Sequence, residues 1–289
     1  MAAFSERVQA LPHLGLGVST EYGAAASPDG LDVPRLRREY PQFADFLEVG
    51  VEAGKGLDSH ARAWVADGLP TTYHFLDINL DDPADFDVAW LDEVRGLAER
   101  MSPAWMCGDA GLWHFGRRDR GHMLLLPPIL SDDNATAMAE GVSRLRTETG
   151  YEVLPENPPG EVFLGDLHLL EFYARLCERA DTGMLLDCAH LAIYQRMCGH
   201  SDPLTGLDGF DLDRIVEVHI AGGTLRETDG FTFVEDTHTA AVLPETWTIF
   251  RYIAERAPNL KAVVFECERN PLEQPLLDVY GQIAQVLDW

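Results

Sequence analysis

Short apolar runs alternate along this chain with longer segments in which apolar residues recur at helical spacing. The short runs do not reach helix length, and buried strands of parallel sheets have this appearance. Eight strands are predicted, over residues 14–18, 46–50, 71–74, 104–107, 151–154, 183–186, 215–220 and 262–265. The pattern therefore predicts strands and helices in alternation.

The amphipathic segments between these runs predict helices over residues 33–44, 58–67, 87–100, 132–149, 166–179, 244–256 and 271–287. Several begin with an acidic residue or a proline, which suit the first turn of a helix, as at Asp132 and Asp166. Alternation repeated eight times is typical of a parallel barrel rather than an open sheet. The predicted fold class is α/β, a TIM-type (β/α)8 barrel.

Length and composition fit one barrel domain over residues 1–289. Of these 289 residues 46% are hydrophobic, and α/β barrels commonly reach this length as a single domain. No linker rich in Pro, Gly or Ser, no low-complexity tract and no internal sequence repeat interrupts the pattern. A division into several domains is not indicated.

Charge and cysteine content narrow the function classes. The chain has 22 Lys and Arg against 48 Asp and Glu, a formal charge of −26, which repels nucleic acid phosphates and anionic lipid. Five cysteines form no CxxC pair, so neither a disulfide framework nor a thiolate zinc site is indicated. No apolar run approaches the roughly 18 residues of a membrane span. A cytoplasmic protein without nucleic acid or membrane partners is expected.

Nearly every predicted strand ends in a residue that binds metals. In a β/α barrel the carboxyl ends of the strands meet at one mouth, where such side chains converge. Taken singly, a histidine can be a hydrogen-bonded core residue and an aspartate can cap a helix. Repetition on most strands indicates a metal site instead, because buried ionisable groups are costly unless paired or coordinated. These residues are Glu48, His74, Asp109, Glu156 with Asn157, Asp187 with His190, His219 and Glu266.

Asp236 and His238 add a carboxylate and an imidazole shortly after the seventh strand. In an extended segment their spacing of two directs both side chains to one side. Imidazole and carboxylate without thiolate suit iron, manganese or zinc, and the ligands exceed what one ion needs. Two or three ions are therefore predicted.

Segments 109–130 and 190–213 are longer than typical connections and are predicted to fold over the mouth as binding loops. His114, Arg117 and Arg118 in the first segment are candidates for substrate contact. The arginines belong to the densest basic patch of an acidic chain and suit a carboxylate or an acidic leader peptide. A solvated loop is the alternative for all three.

Seven short motifs also occur in a characteristic order. They are HFLD at His74, LLLPP at 124–128, PENP at Glu156, LLDCAH ending at His190, VEVHIAGG around His219, EDTHT around Asp236 and FECE ending at Glu268. Together they resemble the signature of the multinuclear non-heme iron-dependent oxidative enzymes, a family long catalogued as a domain of unknown function. The resemblance extends over nearly the whole chain.

The resemblance implies a TIM barrel that holds two or three iron ions, uses dioxygen as co-substrate and oxidises a residue, often cysteine, of a ribosomally made peptide. It further implies a small partner protein that captures the peptide leader. Apart from what the resemblance implies, Asp109 or Glu156 is expected to relay protons as a catalytic residue. In many members a histidine follows the acidic residue of the fourth strand, whereas Ala110 follows Asp109 here. The implied metal ligands are His74, Asp109, Glu156, Asn157, Asp187, His190, His219, Asp236, His238 and Glu266.

The leading functional hypothesis is accordingly an iron- and dioxygen-dependent oxidase that acts on a peptide or an amino-acid-like substrate. The alternative enzyme class is a redox-neutral divalent-metal barrel of the sugar isomerase or endonuclease type, which uses the same ligands. A third hypothesis is a metal-binding protein without catalysis. It requires that protein atoms fill every coordination position.

Overall fold

The computed structural model describes residues 2–20, 27, 29–116 and 124–287. Its strands are β1 Gly15–Thr20, β2 Leu47–Val51, β3 Thr71–Phe75, β4 Met106–Asp109, β5 Val153–Glu156, β6 Met184–Asp187, β7 Ile215–Ala221, β8 Gly223–Thr228, β9 Phe231–Asp236 and β10 Ala262–Glu266. Eight of them are parallel and form a closed barrel in the order β1-β10-β7-β6-β5-β4-β3-β2. Pairing of Gly15 in β1 with Ala262 in β10 closes it. The predicted barrel is confirmed.

Helices surround the barrel and cover its amino-terminal end. They are α1 Phe4–Ala10, α2 Val33–Glu39, α3 Ser59–Ala66, α4 Val88–Met101, α5 Asp132–Thr149, α6 Leu169–Ala180, α7 Cys188–Met197, α8 Pro244–Ala254 and α9 Gln274–Leu287. Several begin at capping side chains: Asp58 accepts from Ala61 N at 2.8 Å at the start of α3, and Asp87 accepts from Trp90 N at 3.0 Å at the start of α4. Within the described residues, no helix is long and apolar enough to cross a membrane.

Two apolar cores hold the barrel together. The larger core packs the helices against the outer faces of the strands. The smaller core fills the amino-terminal end of the barrel, where Phe46, Trp105 and Val264 pack with Phe4 and Val8 of α1. Side chains of alternate residues point into the barrel, so each strand passes from this apolar plug to a polar residue at its carboxyl end. The functional groups therefore lie at the opposite end from α1.

Two elements differ from the prediction. The segment 190–213 was expected to be a loop, but α7 begins directly after β6 and extends to Met197. The strands β8 and β9 form an antiparallel hairpin that follows β7 at the mouth. Its turn residues Asp229 and Gly230 have φ of 49° and 80°, the positive values that a type I′ turn requires.

Close packing of α5 leads to a stability prediction. A Cβ at Gly141 would overlap the backbone carbonyl oxygen of Leu80, whereas a Cβ at Gly281 in α9 would meet nothing within 4 Å. Gly141→Ala is therefore expected to lower the free energy of unfolding by about 1–3 kcal/mol. Gly281→Ala should raise it by up to about 1 kcal/mol, because alanine favours the helix. Urea denaturation measures both, and equal effects of the two substitutions would contradict the packing described.

Candidate metal centre

The barrel mouth is a polar cavity of about 580 Å³. Strand register places its ionisable groups side by side, with Asp109 opposite Glu156 and Asp187 opposite His219. His190 comes from the first turn of α7, and β9 ends at Asp236. The structure thus brings together side chains that are far apart in sequence. The residues gathered here are Glu48, His74, Asp109, Glu156, Asp187, His190, His219, Asp236, His238, Glu266 and Glu268.

Imidazole and carboxylate atoms lie within direct contact across this cavity. His74 Nε2 is 2.7 Å from Glu156 Oε2, and His219 Nδ1 is 3.3 Å from Glu156 Oε1. On the other side, Asp236 Oδ2 lies 2.9 Å from His238 Nε2 and 3.2 Å from His190 Nε2. These contacts join ligand types that commonly share one cation.

Five sets of three described residues have ligand atoms that all lie within 4.8 Å of one another. Two of these sets contain Glu48, and we call the other three the ligand sets. Glu156 belongs to two ligand sets, and the third lies toward the hairpin. A carboxylate shared in this way can bridge two neighbouring cations and offset their repulsion. The ligand sets are His74, Asp109 and Glu156; Glu156, Asp187 and His219; and His190, His238 and Glu266.

Unsatisfied buried atoms test whether cations fit this cluster. A buried polar atom without a hydrogen bond costs about 1–3 kcal/mol, so several in one place indicate a missing partner. Coordination by metal ions would satisfy all of them at once. The atoms that form no hydrogen bond with the described part of the chain include Asp109 Oδ1, Glu156 Oε1, Asp187 Oδ2, His219 Nδ1, Asp236 Oδ1 and Glu266 Oε2.

Three histidines are each held through one ring nitrogen. His219 Nε2 lies 3.1 Å from Glu48 Oε2, and His190 Nδ1 lies 2.8 Å from the backbone oxygen of Asn157. His238 Nδ1 lies 2.6 Å from Glu268 Oε1. Metal-binding histidines usually donate their second ring nitrogen to such a partner, which fixes the tautomer. The opposite nitrogens of these three rings face the cluster.

The carboxylates create a negative potential that raises the pKa of the neighbouring imidazoles and would likewise stabilise a cation. Burial opposes the charge of His74, but the hydrogen bond to Glu156 and the charge of Glu48 outweigh it and raise the pKa to about 10. Burial favours the neutral form of Glu156, yet His219 and His74 lower its pKa. Burial, only partly offset by His190, raises the pKa of Asp187 to about 7. The site therefore favours positive charge beside Glu156.

The side chain of Asn157, a predicted metal ligand, forms hydrogen bonds with the backbone of β6. Its amide Nδ2 donates to the backbone oxygen of Asp187 at 3.0 Å, and its Oδ1 accepts from Asp187 N at 3.0 Å. Both ends of the amide are thus used by the backbone of β6. Asn157 fixes the end of β6, and through its own carbonyl it orients His190.

His114 does not lie where a substrate-binding residue or a solvated loop residue would lie. The side chain is buried, with Nε2 2.8 Å from Asp85 Oδ2 and Nδ1 2.7 Å from the Gly116 carbonyl oxygen. Both ring nitrogens are engaged away from the cavity, so His114 does not supply the imidazole absent at Ala110. Arg117 and Arg118 lie outside the described residues.

Three acidic residues around the centre are not among the ligands implied by the sequence motifs. Glu48 contacts His219, and Glu268 contacts His238. Glu217 lies deeper in the barrel, where its Oε2 accepts from Trp105 Nε1 at 2.6 Å. Burial together with the charge of Glu48 raises the pKa of Glu217 to about 8. The sequence contains a signal for Glu217 and Glu268. Glu217 lies two residues before His219 and Glu268 lies two residues after Glu266, so in an extended segment each faces the same side as that ligand.

Comparison with solved structures confirms the fold class. A xylose isomerase domain protein from Planctomyces limnophilus superposes with a TM-score of 0.56 at 11% identity, over 96% of this chain and 99% of its own. The IolI protein with a bound zinc atom gives 0.58 at 11% identity, over 95% and 98% of the two chains. Endonuclease IV from Thermus thermophilus gives 0.54 at 15% identity, over 95% and 99%. At these identities the likeness concerns the fold alone.

Sequence relatives cover most of the chain. A UPF0276 protein of Neisseria meningitidis serogroup C is 24% identical over 248 residues, which are 85% of this chain and 84% of the relative. A UPF0276 protein of Caulobacter vibrioides is 26% identical over 247 residues, 83% and 84% of the two chains. The family model described as "RiPP precursor modification enzyme MbnB/TglH/ChrH" matches residues 32–287, a range that contains every residue of the centre. The chain belongs to this family of enzymes that modify the precursors of ribosomally made peptides.

Proposed function

We propose that the protein is an iron-dependent oxidase that uses dioxygen to oxidise a residue of a ribosomally made peptide, with cysteine as the expected residue. The observation that carries the proposal is the sharing of Glu156 between two ligand sets, with a third set beside them. Such an arrangement suits two or three adjacent ions.

The donor atoms support iron as the metal. The three ligand sets consist of imidazole and carboxylate, which iron accepts in non-heme oxidases. Iron held by these residues would supply electrons for dioxygen reduction and an open position for a substrate thiolate or carboxylate. The chain's own contribution is to hold these ligands rigidly, because most are buried on strands rather than on mobile loops.

Asp109 and Glu156 support different proton roles. Burial and the charge of Glu156 raise the pKa of Asp109 well above its usual value, so Asp109 can hold a proton. Glu156 is held as a carboxylate, because His219 and His74 lower its pKa. We assign Asp109 to proton transfer with the substrate, and Glu156 to charge balance and ligation. A buried carboxyl whose neutral form is favoured suits general acid–base work.

The cavity walls support a substrate that enters side chain first. Trp113, Leu125 and Pro159 line the cavity together with His74, Asp109 and Glu266. The apolar side chains can exclude water from the reacting carbon, and the polar groups can bind a thiolate or carboxylate. A small partner protein that captures the peptide leader remains part of the proposal.

Dioxygen dependence tests the proposed function. Protein purified anaerobically and loaded with Fe²⁺ is mixed with precursor peptides encoded beside its gene, and products are analysed by mass spectrometry. We expect modification at cysteine with air and none under argon, together with two or three irons per chain by elemental analysis. Turnover of a sugar or of nucleic acid under argon with Mg²⁺ or Mn²⁺ would instead support the redox-neutral alternative. A single bound ion would contradict the shared role of Glu156.

A further inference from the structure

We propose that Glu268 is a positioning residue that sets the tautomer and the ring orientation of His238 at the metal centre. The inference rests on the metal centre of the proposed function but not on its oxidation chemistry. Glu268 is the first acidic residue after β10, and the sequence motif around it draws attention to Glu266 instead. Its contacts show a role distinct from that of Glu266.

Successive side chains at the end of β10 point to opposite sides of the strand. Glu266 points into the cavity, and Cys267 points outward, with its Sγ 3.8 Å from the Tyr280 hydroxyl in the outer core. Glu268 returns to the cavity side, where only 2% of the residue is exposed. A carboxylate buried to this degree needs specific partners to offset the loss of hydration.

Both carboxylate oxygens of Glu268 have such partners. Oε1 lies 2.6 Å from His238 Nδ1, and Oε2 accepts from the Ser19 hydroxyl at 2.9 Å. The backbone oxygen of Glu268 also accepts from Leu31 N at 2.9 Å. Ser19 belongs to β1, so the barrel wall fixes the position of the carboxylate. Glu268 therefore presents a fixed acceptor to the imidazole.

The backbone of His238 gives independent support. His238 has φ of 47°, in the left-handed region, which costs of order 1 kcal/mol for a residue with a side chain. Asn270 Nδ2 donates to the His238 carbonyl oxygen at 2.5 Å. The segment 268–270 thus holds the ring through one residue and the backbone through another. Two contacts from one segment maintain an unfavourable conformation, as expected where orientation matters.

The contact with Glu268 also determines which ring nitrogen of His238 can bind a metal ion. When Nδ1–H donates to Glu268, Nε2 carries the free lone pair, and it lies 2.9 Å from Asp236 Oδ2 and 3.7 Å from Glu266 Oε2. Nε2 is therefore the atom that belongs to the set with His190 and Glu266. A carboxylate partner also makes the imidazole a stronger ligand. Without Glu268 the ring can adopt the other tautomer or turn away from the set.

The test compares iron binding in Glu268→Gln and Glu268→Ala with that of the unmodified protein. Loss of such a partner typically weakens metal binding about 10- to 100-fold, and we expect this loss for one ion, with the ions at Glu156 retained. Anaerobic Fe²⁺ titration gives affinities, and Mössbauer spectra of ⁵⁷Fe-loaded protein distinguish the ions. Glu52→Gln is the matched control, because Glu52 is also buried but bonds to Lys55 rather than to an imidazole. The Glu52 variant should bind like the unmodified protein.

A double-mutant cycle separates positioning from a general structural effect. If Glu268 acts through His238, then Glu268→Gln should change Fe²⁺ affinity little in a His238→Ala background. Equal effects in both backgrounds would overturn the inference, as would normal affinity in both single Glu268 variants.

If the unmodified protein binds no iron, both the inference and the proposed function fail. If it binds iron but shows no dioxygen-dependent turnover, only the oxidase proposal fails. Glu268→Gln retains the side-chain volume should Glu268→Ala not fold.

Discussion

Glu156→Gln is expected to remove most of the bound iron and, with it, the turnover. Glu156 belongs to two of the three ligand sets, so one substitution removes a carboxylate from two neighbouring ions. The loss should exceed the roughly 10- to 100-fold weakening that follows removal of an outer partner. Elemental analysis after anaerobic loading and gel filtration measures the iron retained.

The fold should survive this substitution. Glutamine has nearly the volume of glutamate, and its side-chain oxygen can accept a hydrogen bond from neutral His74 in place of the contact at 2.7 Å. The apolar cores do not include Glu156. Circular dichroism of the variant should therefore match that of the unmodified protein.

Glu161→Gln is the matched control for this prediction. Glu161 lines the same cavity but is exposed and belongs to none of the three ligand sets. The Glu161→Gln variant should therefore retain its iron. Full iron retention in Glu156→Gln would show that the ions bind elsewhere in the mouth, and equal loss in both variants would indicate a general electrostatic effect.

Asp187→Asn should lose iron without losing stability, whereas Asp187→Ala should lose both. Asp187 Oδ1 caps α7 by accepting from His190 N at 2.6 Å, while Oδ2 forms no hydrogen bond with the described residues and faces the ligand set with Glu156 and His219. Asparagine caps helices as well as aspartate, but alanine does not, at a cost of about 1 kcal/mol. The two functions of one carboxylate can therefore be separated.

The expected melting temperature follows from this cost. Without metal, Asp187→Ala should melt about 2–4 °C below the unmodified protein for each kcal/mol lost. Asp187→Asn should melt close to it, because a carboxyl with a pKa of about 7 is already partly neutral at neutral pH. Asp87→Ala, which removes the cap of α4 far from the centre, should lower stability and retain iron. Iron loss in Asp87→Ala would contradict the assignment.

The strand ends explain how much of the site the sequence reveals. His74, Asp109, Glu156 and Asp187 follow buried apolar runs, and in a parallel barrel that position alone brings them to one mouth. Residue type and strand register suffice for such residues. The fold and most of the metal-binding candidates could be predicted for this reason.

Other features depend on contacts that a linear pattern does not contain. Asn157 has a suitable side chain for a ligand, but only its hydrogen bonds to Asp187 reveal that the amide serves the backbone. The helix α7 was missed because it is buried on nearly every side from Cys188 to Gln195, which hides the helical period. The hairpin of β8 and β9 was not predicted, although Asp229-Gly230 is a recognisable sequence signal for its turn.

Closure of the barrel between β1 and β10 has a consequence for the order of assembly. The three ligand sets draw on strands from β3 to β10, and Ser19 of β1 fixes Glu268 beside them. The centre and its support extend along the chain from Ser19 to Glu268, so a barrel that still lacks its last strand cannot bind the full set of ions. We therefore expect metal ions to bind after the complete chain has been released. Metal binding then indicates that all eight βα units have folded together.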